Sequence, residues 1–149
     1  MSLLNQVCNI VVIGPRQSGK TMLMKRCMFQ GYTDTYISTM IVEPIEIRYK
    51  QCSYLWWDTA SYPSVCHHNK YPLRRANKIV VCYDGRSEES YDEACTMVDA
   101  LDADDIKVLM VATYADDGGV RKNSDDFLVS SKTGSGILEI IGILYDGSG

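Results

Sequence analysis

Between the apolar run Val7-Cys8-Asn9-Ile10-Val11-Val12-Ile13 and a stretch from Thr21 to Phe29, the chain reads Gly14-Pro15-Arg16-Gln17-Ser18-Gly19-Lys20-Thr21. Nothing else in the sequence constrains the fold as tightly. A strand that runs into a glycine, four open positions, Gly-Lys-Thr and a helix is the full pattern G-x-x-x-x-G-K-[ST] in the context it requires. Glycine permits dihedrals and close approaches that other residues do not, so successive backbone N–H groups can turn toward one point. Lys20 adds a cation, the Thr21 hydroxyl is a ligand for a hard divalent ion, and the helix N-terminus attracts anions. Such a loop surrounds phosphates. A nucleoside di- or triphosphate is therefore the expected ligand, with Gly14, Gln17, Ser18, Gly19, Lys20 and Thr21 as phosphate contacts.

The rest of the chain alternates in the same manner. Val7–Ile13 reads as a buried strand, 21–29 as a helix, and 41–50 with 52–57 as an antiparallel hairpin. Ile79-Val80-Val81-Cys82-Tyr83 is a further buried strand, followed by a helix over 87–101 that carries Glu88 and Glu89 in its first turn. Strands over 108–112 and 127–129 and a helix over 137–144 complete the order. This alternation predicts an α/β fold with a mainly parallel sheet covered on both faces, and places ligands at the carboxyl ends of the strands.

Composition sets the limits. At 149 residues the chain has the length of one domain, 1–149, and its 46% hydrophobic content is enough for a core. A net charge of −4 without a basic run argues against nucleic acid as a partner. Apolar runs are too short to span a bilayer, and Met1–Asn5 lack the start of a secretory signal, so a soluble, cytoplasmic protein is expected. The six cysteines contain no C-x-x-C pair, and Cys8, Cys52 and Cys82 sit in apolar runs where a thiol packs as a small hydrophobe. Cys66-His67-His68 could touch a metal, but adjacent loop residues are poor chelating geometry.

Five further segments, taken in order, resemble one family. Tyr32-Thr33-Asp34-Thr35-Tyr36-Ile37-Ser38-Thr39 resembles the first switch of the Rab branch of Ras-like small GTPases, at gap-free spacing from Lys20. Leu55-Trp56-Trp57-Asp58-Thr59-Ala60 resembles the strand entering the second switch. Val80–Asp84, Val108–Asp116 and Ser130-Ser131-Lys132 follow in the family's order. The resemblance implies a Ras-like P-loop NTPase fold, with a mainly parallel six-stranded sheet flanked by helices. It also implies GTP or GDP with Mg²⁺ as ligand. Thr21 and Thr39 would be side-chain ligands of the ion, with Asp58 acting through water. Tyr32 would flank the base or ribose, Asp116 would accept from the guanine edge, and Ser131 and Lys132 would back the base. Taken singly, Thr39 is an ordinary loop threonine and Asp58 a possible turn cap.

The departures from the family cluster on catalysis and base recognition. Arg16 and Gln17 stand where relatives carry small residues, and the second switch reads Asp58-Thr59-Ala60-Ser61-Tyr62 where relatives have Asp-x-x-Gly-Gln. Ser61 narrows a pivot, Tyr62 cannot orient water as glutamine does, and Arg16 would crowd the attack side. Slow or absent hydrolysis is the expectation. Thr113-Tyr114-Ala115-Asp116 replaces Asn-Lys-x-Asp; this loses the asparagine's tie between loops, and Tyr114 can stack where the lysine stem would lie. Pro44 interrupts a strand, which is tolerable at an edge, and Trp57 is expected to be an exposed anchor while Trp56 packs in the core.

The expected protein is thus a divergent Rab-like nucleotide binder, acting as a switch or mimic toward regulators or effectors through its switch regions. A scaffold whose partner binding ignores nucleotide is the alternative, and a phosphotransferase lacks a recognisable acceptor site. A monomer is expected. No cysteine follows Cys95, so a prenyl anchor is not expected from this sequence. Only 13 residues, 117–129, separate Asp116 from Ser130, where relatives place a whole helix. The C-terminal half should therefore be shortened.

Overall fold

In the computed structural model, residues 6–29, 44–49, 52–58, 75–101 and 106–145 are described. The strands are β1 (Gln6–Ile13), β2 (Pro44–Tyr49), β3 (Cys52–Asp58), β4 (Lys78–Asp84), β5 (Lys107–Thr113) and β6 (Phe127–Leu128). Helices placed among the described residues include α1 (Lys20–Phe29), α2 (Glu88–Asp99) and α3 (Ile137–Leu144). The six strands form one sheet in the order β2-β3-β1-β4-β5-β6, antiparallel between β2 and β3 and parallel at the other pairings. The expected architecture is the one observed, and the elements begin or end within a few residues of the bounds expected from the sequence.

Side-chain alternation divides the core between two faces. On one face Ile10, Val12, Tyr54, Trp56, Val80, Cys82 and Val111 pack against Leu23, Met24 and Cys27 of α1 and Ile137, Ile140 and Leu144 of α3. On the other, Val11, Ile13, Trp57, Ile79, Val81 and Tyr83 meet Ala94 and Met97 of α2. Strands β1 and β4 are apolar on both faces, as parallel strands with helices on both sides require. Cys8, Cys27, Cys52 and Cys82 are buried free thiols, and burial pushes the Cys27 thiol up to about 12. Cys66, His67 and His68 lie outside the described residues.

Trp57 is a correction. Only 8% of its surface is exposed, and its indole N–H donates to Asn9 Oδ1 at 3.0 Å. Consecutive strand residues point to opposite faces, so Trp56 and Trp57 both find a core because both faces of β3 are covered. Pro44 is the first residue of the edge strand β2, a position at which proline is tolerated.

Two features mark the C-terminal half. After β5 there is one 3₁₀ turn, Ala115–Asp117, and the described residues 118–126 contain no helix. This confirms the shortening. The segment is held instead by Tyr83, whose hydroxyl donates to Asp126 Oδ2 at 2.5 Å and accepts from the Lys122 N–H at 2.9 Å. Burial and the Asp126 carboxylate raise the Tyr83 pKa. At the far end, Lys78 is buried and donates to the Ile143 and Leu144 carbonyls at 2.9 and 3.1 Å, placing a cation at the negative end of α3.

Candidate functional site

The site is built where β1, β4 and β5 end. Gly14 stops β1 beneath β4: a Cβ there would lie 2.6 Å from the Cys82 carbonyl and 2.7 Å from Ser18 Oγ. The loop then turns through Gln17 and Gly19, with φ of 59° and 87°, and the Leu23 N–H closes the first α-helical bond onto the Gly19 carbonyl at 2.9 Å. Ser18, Lys20 and Thr21 are buried at the start of α1, Lys20 to 5% exposure. A buried ammonium at a helix N-terminus is a strong local attraction for anions.

Gln17 holds a left-handed conformation without being glycine, which stores strain of about 1 kcal/mol. Gln17→Gly is therefore expected to raise unfolding free energy by roughly that amount, read from the denaturant midpoint at constant m. A neutral or destabilising result would show that the Gln17 side chain outweighs the backbone strain.

The second wall comes from the ends of β5 and β6. Thr113 Oγ1 lies 2.7 Å from the Ser18 carbonyl and 3.1 Å from the Tyr83 carbonyl, so its hydroxyl joins the first loop to this one. The expected loss of a tie at this position is thereby corrected: the threonine reaches because the loop runs close to it, a Cβ on Gly19 being only 3.4 Å from Thr113 Oγ1. Tyr114 follows in a left-handed conformation (φ 63°, ψ 38°) and starts the 3₁₀ turn that carries Asp116. Asp116 Oδ1 accepts from the Ser130 hydroxyl at 2.8 Å, and Ser130 Oγ in turn accepts from the Thr133 N–H at 3.0 Å. Ser130 thus orients the carboxylate.

These walls enclose a cleft of about 510 Å³, within the range of small-molecule sites. Gln17, Gly19, Thr21 and Met22 line it from the first loop and α1. Thr113, Tyr114, Asp116, Ser131 and Lys132 line it from the second wall. The hydroxyl of Ser131 is buried with no partner among the described residues, leaving a polar group available to a ligand. The structure therefore brings Gln17, Gly19 and Thr21 together with Thr113, Tyr114, Asp116, Ser131 and Lys132 around one cleft, although the two groups are about a hundred residues apart in sequence; Gly14, Ser18 and Lys20 are not among its lining residues. Arg16 is exposed and lines a neighbouring depression against α2 instead. Tyr32, Thr39, Ser61 and Tyr62 lie outside the described residues, and Asp58 is placed only as the last residue of β3, paired with Val12. Thr21 is the proposed metal ligand whose side chain is described; its buried hydroxyl fits a hard cation.

Sequence reasoning passed over Asp84 and Arg86, which also line the cleft. Their signal was the turn after β4, a carboxyl strand end like the two that were read. Arg86 donates to both oxygens of Asp84, each at 3.0 Å, and pairs with Asp117. Burial works against the charged form of Asp84, but the Arg86 hydrogen bonds and charge outweigh it and hold the carboxyl below its ordinary value. The hydrogen bonds to Asp84 and Asp117 raise Arg86. A carboxyl with a lowered folded pKa stabilises fully above its unfolded value of about 3.9, and that stability is lost as pH falls through the folded value. Tm is expected to fall more steeply below about pH 4 in the natural chain than in Asp84→Asn. Parallel profiles would refute the pairing.

A sequence model described as the Ras family matches residues 9–145. The chain is 28% identical over 114 residues to the Ras-related protein Rab-12 of Mus musculus, covering 72% of this chain and 47% of that protein. It is 27% identical over 114 residues to the GTP-binding protein YPTM1 of Zea mays, covering 72% of the chain and 55% of the relative. RabN1 of Dictyostelium discoideum is 31% identical over 90 residues, covering 58% of this chain and 42% of that protein. The chain spans about half the length of these relatives. The family match runs from β1 through α3, the strand order has one antiparallel edge, and the Rab-related proteins align with most of the chain; the chain therefore belongs to the Ras family, as a divergent Rab-like member.

Proposed function

We propose that this chain binds GTP or GDP with Mg²⁺, hydrolyses the nucleotide slowly or not at all, and acts as a binding switch or mimic toward Rab-type regulators or effectors. The observation that carries this reading is the cleft itself. At one wall Gly19 and Thr21 begin helix α1, next in sequence to the buried Lys20, an arrangement that suits phosphates, and the other wall offers a hydrogen-bonded carboxylate. Guanine presents two adjacent N–H donors, and a carboxylate is the acceptor that matches them. Magnesium would be held by Thr21 together with Thr39 and, through water, Asp58; it would supply charge neutralisation at the terminal phosphates. Slow turnover rests on the sequence at Arg16, Ser61 and Tyr62.

The nucleotide carried by freshly purified protein, released by denaturation and separated by reversed-phase chromatography, tests the first part. GDP or GTP at near one per chain is expected, and an adenine nucleotide or none would overturn it. Single-turnover hydrolysis of bound GTP tests the second. A rate equal to that of ordinary Rab proteins measured alongside would show that the substitutions do not impair catalysis.

A further inference from the structure

The buried Tyr83 hydroxyl closes a loop. It accepts from the Lys122 N–H at 2.9 Å and donates to Asp126 Oδ2, so one group holds both ends of residues 122–126. Ser124 stands at the midpoint. The tip is a β-turn: the Asp126 N–H donates to the Asn123 carbonyl at 3.0 Å, and the Asp125 N–H to Asn123 Oδ1 at 2.9 Å. Ser124 and Asp125 are its central residues and both are exposed. The Ser124 hydroxyl makes no hydrogen bond among the described residues. A nucleophile at the tip of a loop pinned at both ends is presented to other molecules rather than packed. Charge around it is one-sided: Arg121 and Lys122 precede it, Asp125 and Asp126 follow. Lys122 Nζ reaches Glu88 Oε2 of α2 at 3.3 Å, whereas Arg121 is exposed and forms no ion pair among the described residues. Of the chain's arginines, only Arg121 has a hydroxyl residue three positions further on.

We propose that Ser124 is a phosphorylation site, modified by an arginine-directed serine kinase with Mg·ATP, and that the phosphate loosens the clasp made by Tyr83. Arg121 is the recognition element, a guanidinium free to pair with carboxylates of the kinase. In the transfer, Ser124 Oγ bonds to the γ-phosphorus of ATP. The bond from that phosphorus to the β–γ bridging oxygen breaks, ADP leaves, and the hydroxyl proton passes to a carboxylate base of the kinase. Phosphoserine carries close to two negative charges at neutral pH, and beside aspartates it disrupts by repulsion. Attraction to Arg121 acts in water, where solvent and salt screen it. Repulsion reaches Asp126, which is 7% exposed and sits where the surroundings screen poorly. Repulsion therefore wins. Any contact that Lys122 makes with the phosphate is also drawn from Glu88, which weakens the hold of the loop on α2.

The full chain, incubated with the catalytic subunit of cyclic-AMP-dependent protein kinase and Mg·ATP and mapped by peptide mass spectrometry, tests the site. Phosphate on Ser124 is expected, at near one per chain. Ser124→Ala should abolish it, and Arg121→Ala should slow incorporation by about tenfold or more, the scale of one charge-assisted hydrogen bond. Phosphate confined to other residues, none at all, or a rate indifferent to Arg121→Ala would overturn the proposal. So would modification of a free peptide spanning residues 118–128 without modification of the folded chain, since the fold would then withhold the serine. Thermal unfolding of phosphorylated and unmodified chains, both freed of nucleotide, tests the clasp. The midpoint is expected to fall by about 2–5 °C on phosphorylation. In Asp126→Asn, which keeps an acceptor for Tyr83 and removes the charge, the fall should be at most about half as large. A midpoint that stays or rises in the natural chain, or an equal fall in Asp126→Asn, would show that the phosphate does not act on the clasp.

Discussion

Lys20→Ala is expected to weaken nucleotide binding by about a hundredfold, close to 3 kcal/mol, the upper range for hydrogen bonds to charged groups. Lys20 is 5% exposed, so its charge acts in a medium that screens poorly, beside a helix N-terminus of the same sign. Removing it leaves the backbone cradle and the second wall intact. At ligand a hundred times the natural dissociation constant, stabilisation by the ligand would fall from about 2.7 to about 0.4 kcal/mol. Thermal unfolding with and without GDP reads this difference, and the increment within each protein removes any effect of the substitution on the ligand-free fold. The same measurement separates a switch from a scaffold. A switch loses both the increment and nucleotide-dependent partner binding, whereas a scaffold shows equal partner binding in both proteins at every nucleotide concentration.

Trp56→Ala is expected to cost about 3–5 kcal/mol, on the scale of the entire stability of a marginal domain. Trp56 is 1% exposed, central to the face shared by α1 and α3, and its indole N–H donates to the Tyr145 hydroxyl at 2.9 Å. Tyr145 also packs edge-on against Tyr54, with ring centroids 4.5 Å apart, so the indole anchors the residue that follows α3 onto the β2–β3 side of the sheet. Trp56→Phe keeps an apolar ring and should cost about half as much, with the Tyr145 hydroxyl losing its donor. Denaturant unfolding checks both. A cost below about 1 kcal/mol for Trp56→Ala would show that the face can collapse onto the vacated volume.

Much of the fold was legible because parallel strands buried on both faces are written as continuous apolar runs. Ile10–Ile13 and Ile79–Tyr83 announce themselves, and the turns at their carboxyl ends indicate where to look. The octapeptide from Gly14 to Thr21 was legible for a further reason: its residues act within one turn, so spacing alone encodes geometry. Burial of Trp57 was not legible. Its neighbour in sequence points the other way, and only helix α2 and Asn9, remote along the chain, convert an apparent surface anchor into core. Lys78 shows the same limit, since a lysine opening a strand reads as exposed until the carbonyls of Ile143 and Leu144 arrive to hold it.

Local order along the chain was enough to determine the strand and helix succession, the phosphate-type loop and the family, because each depends on contacts within a few residues or on motifs in series. Only the folded chain could decide that Thr113 restores a tie between the two loops, that Ser130 orients Asp116, and that Arg86 lies over Tyr114 between Asp84 and Asp117. Each of these joins residues from different strand ends, and the distance between strand ends is set by sheet register and packing rather than by sequence spacing.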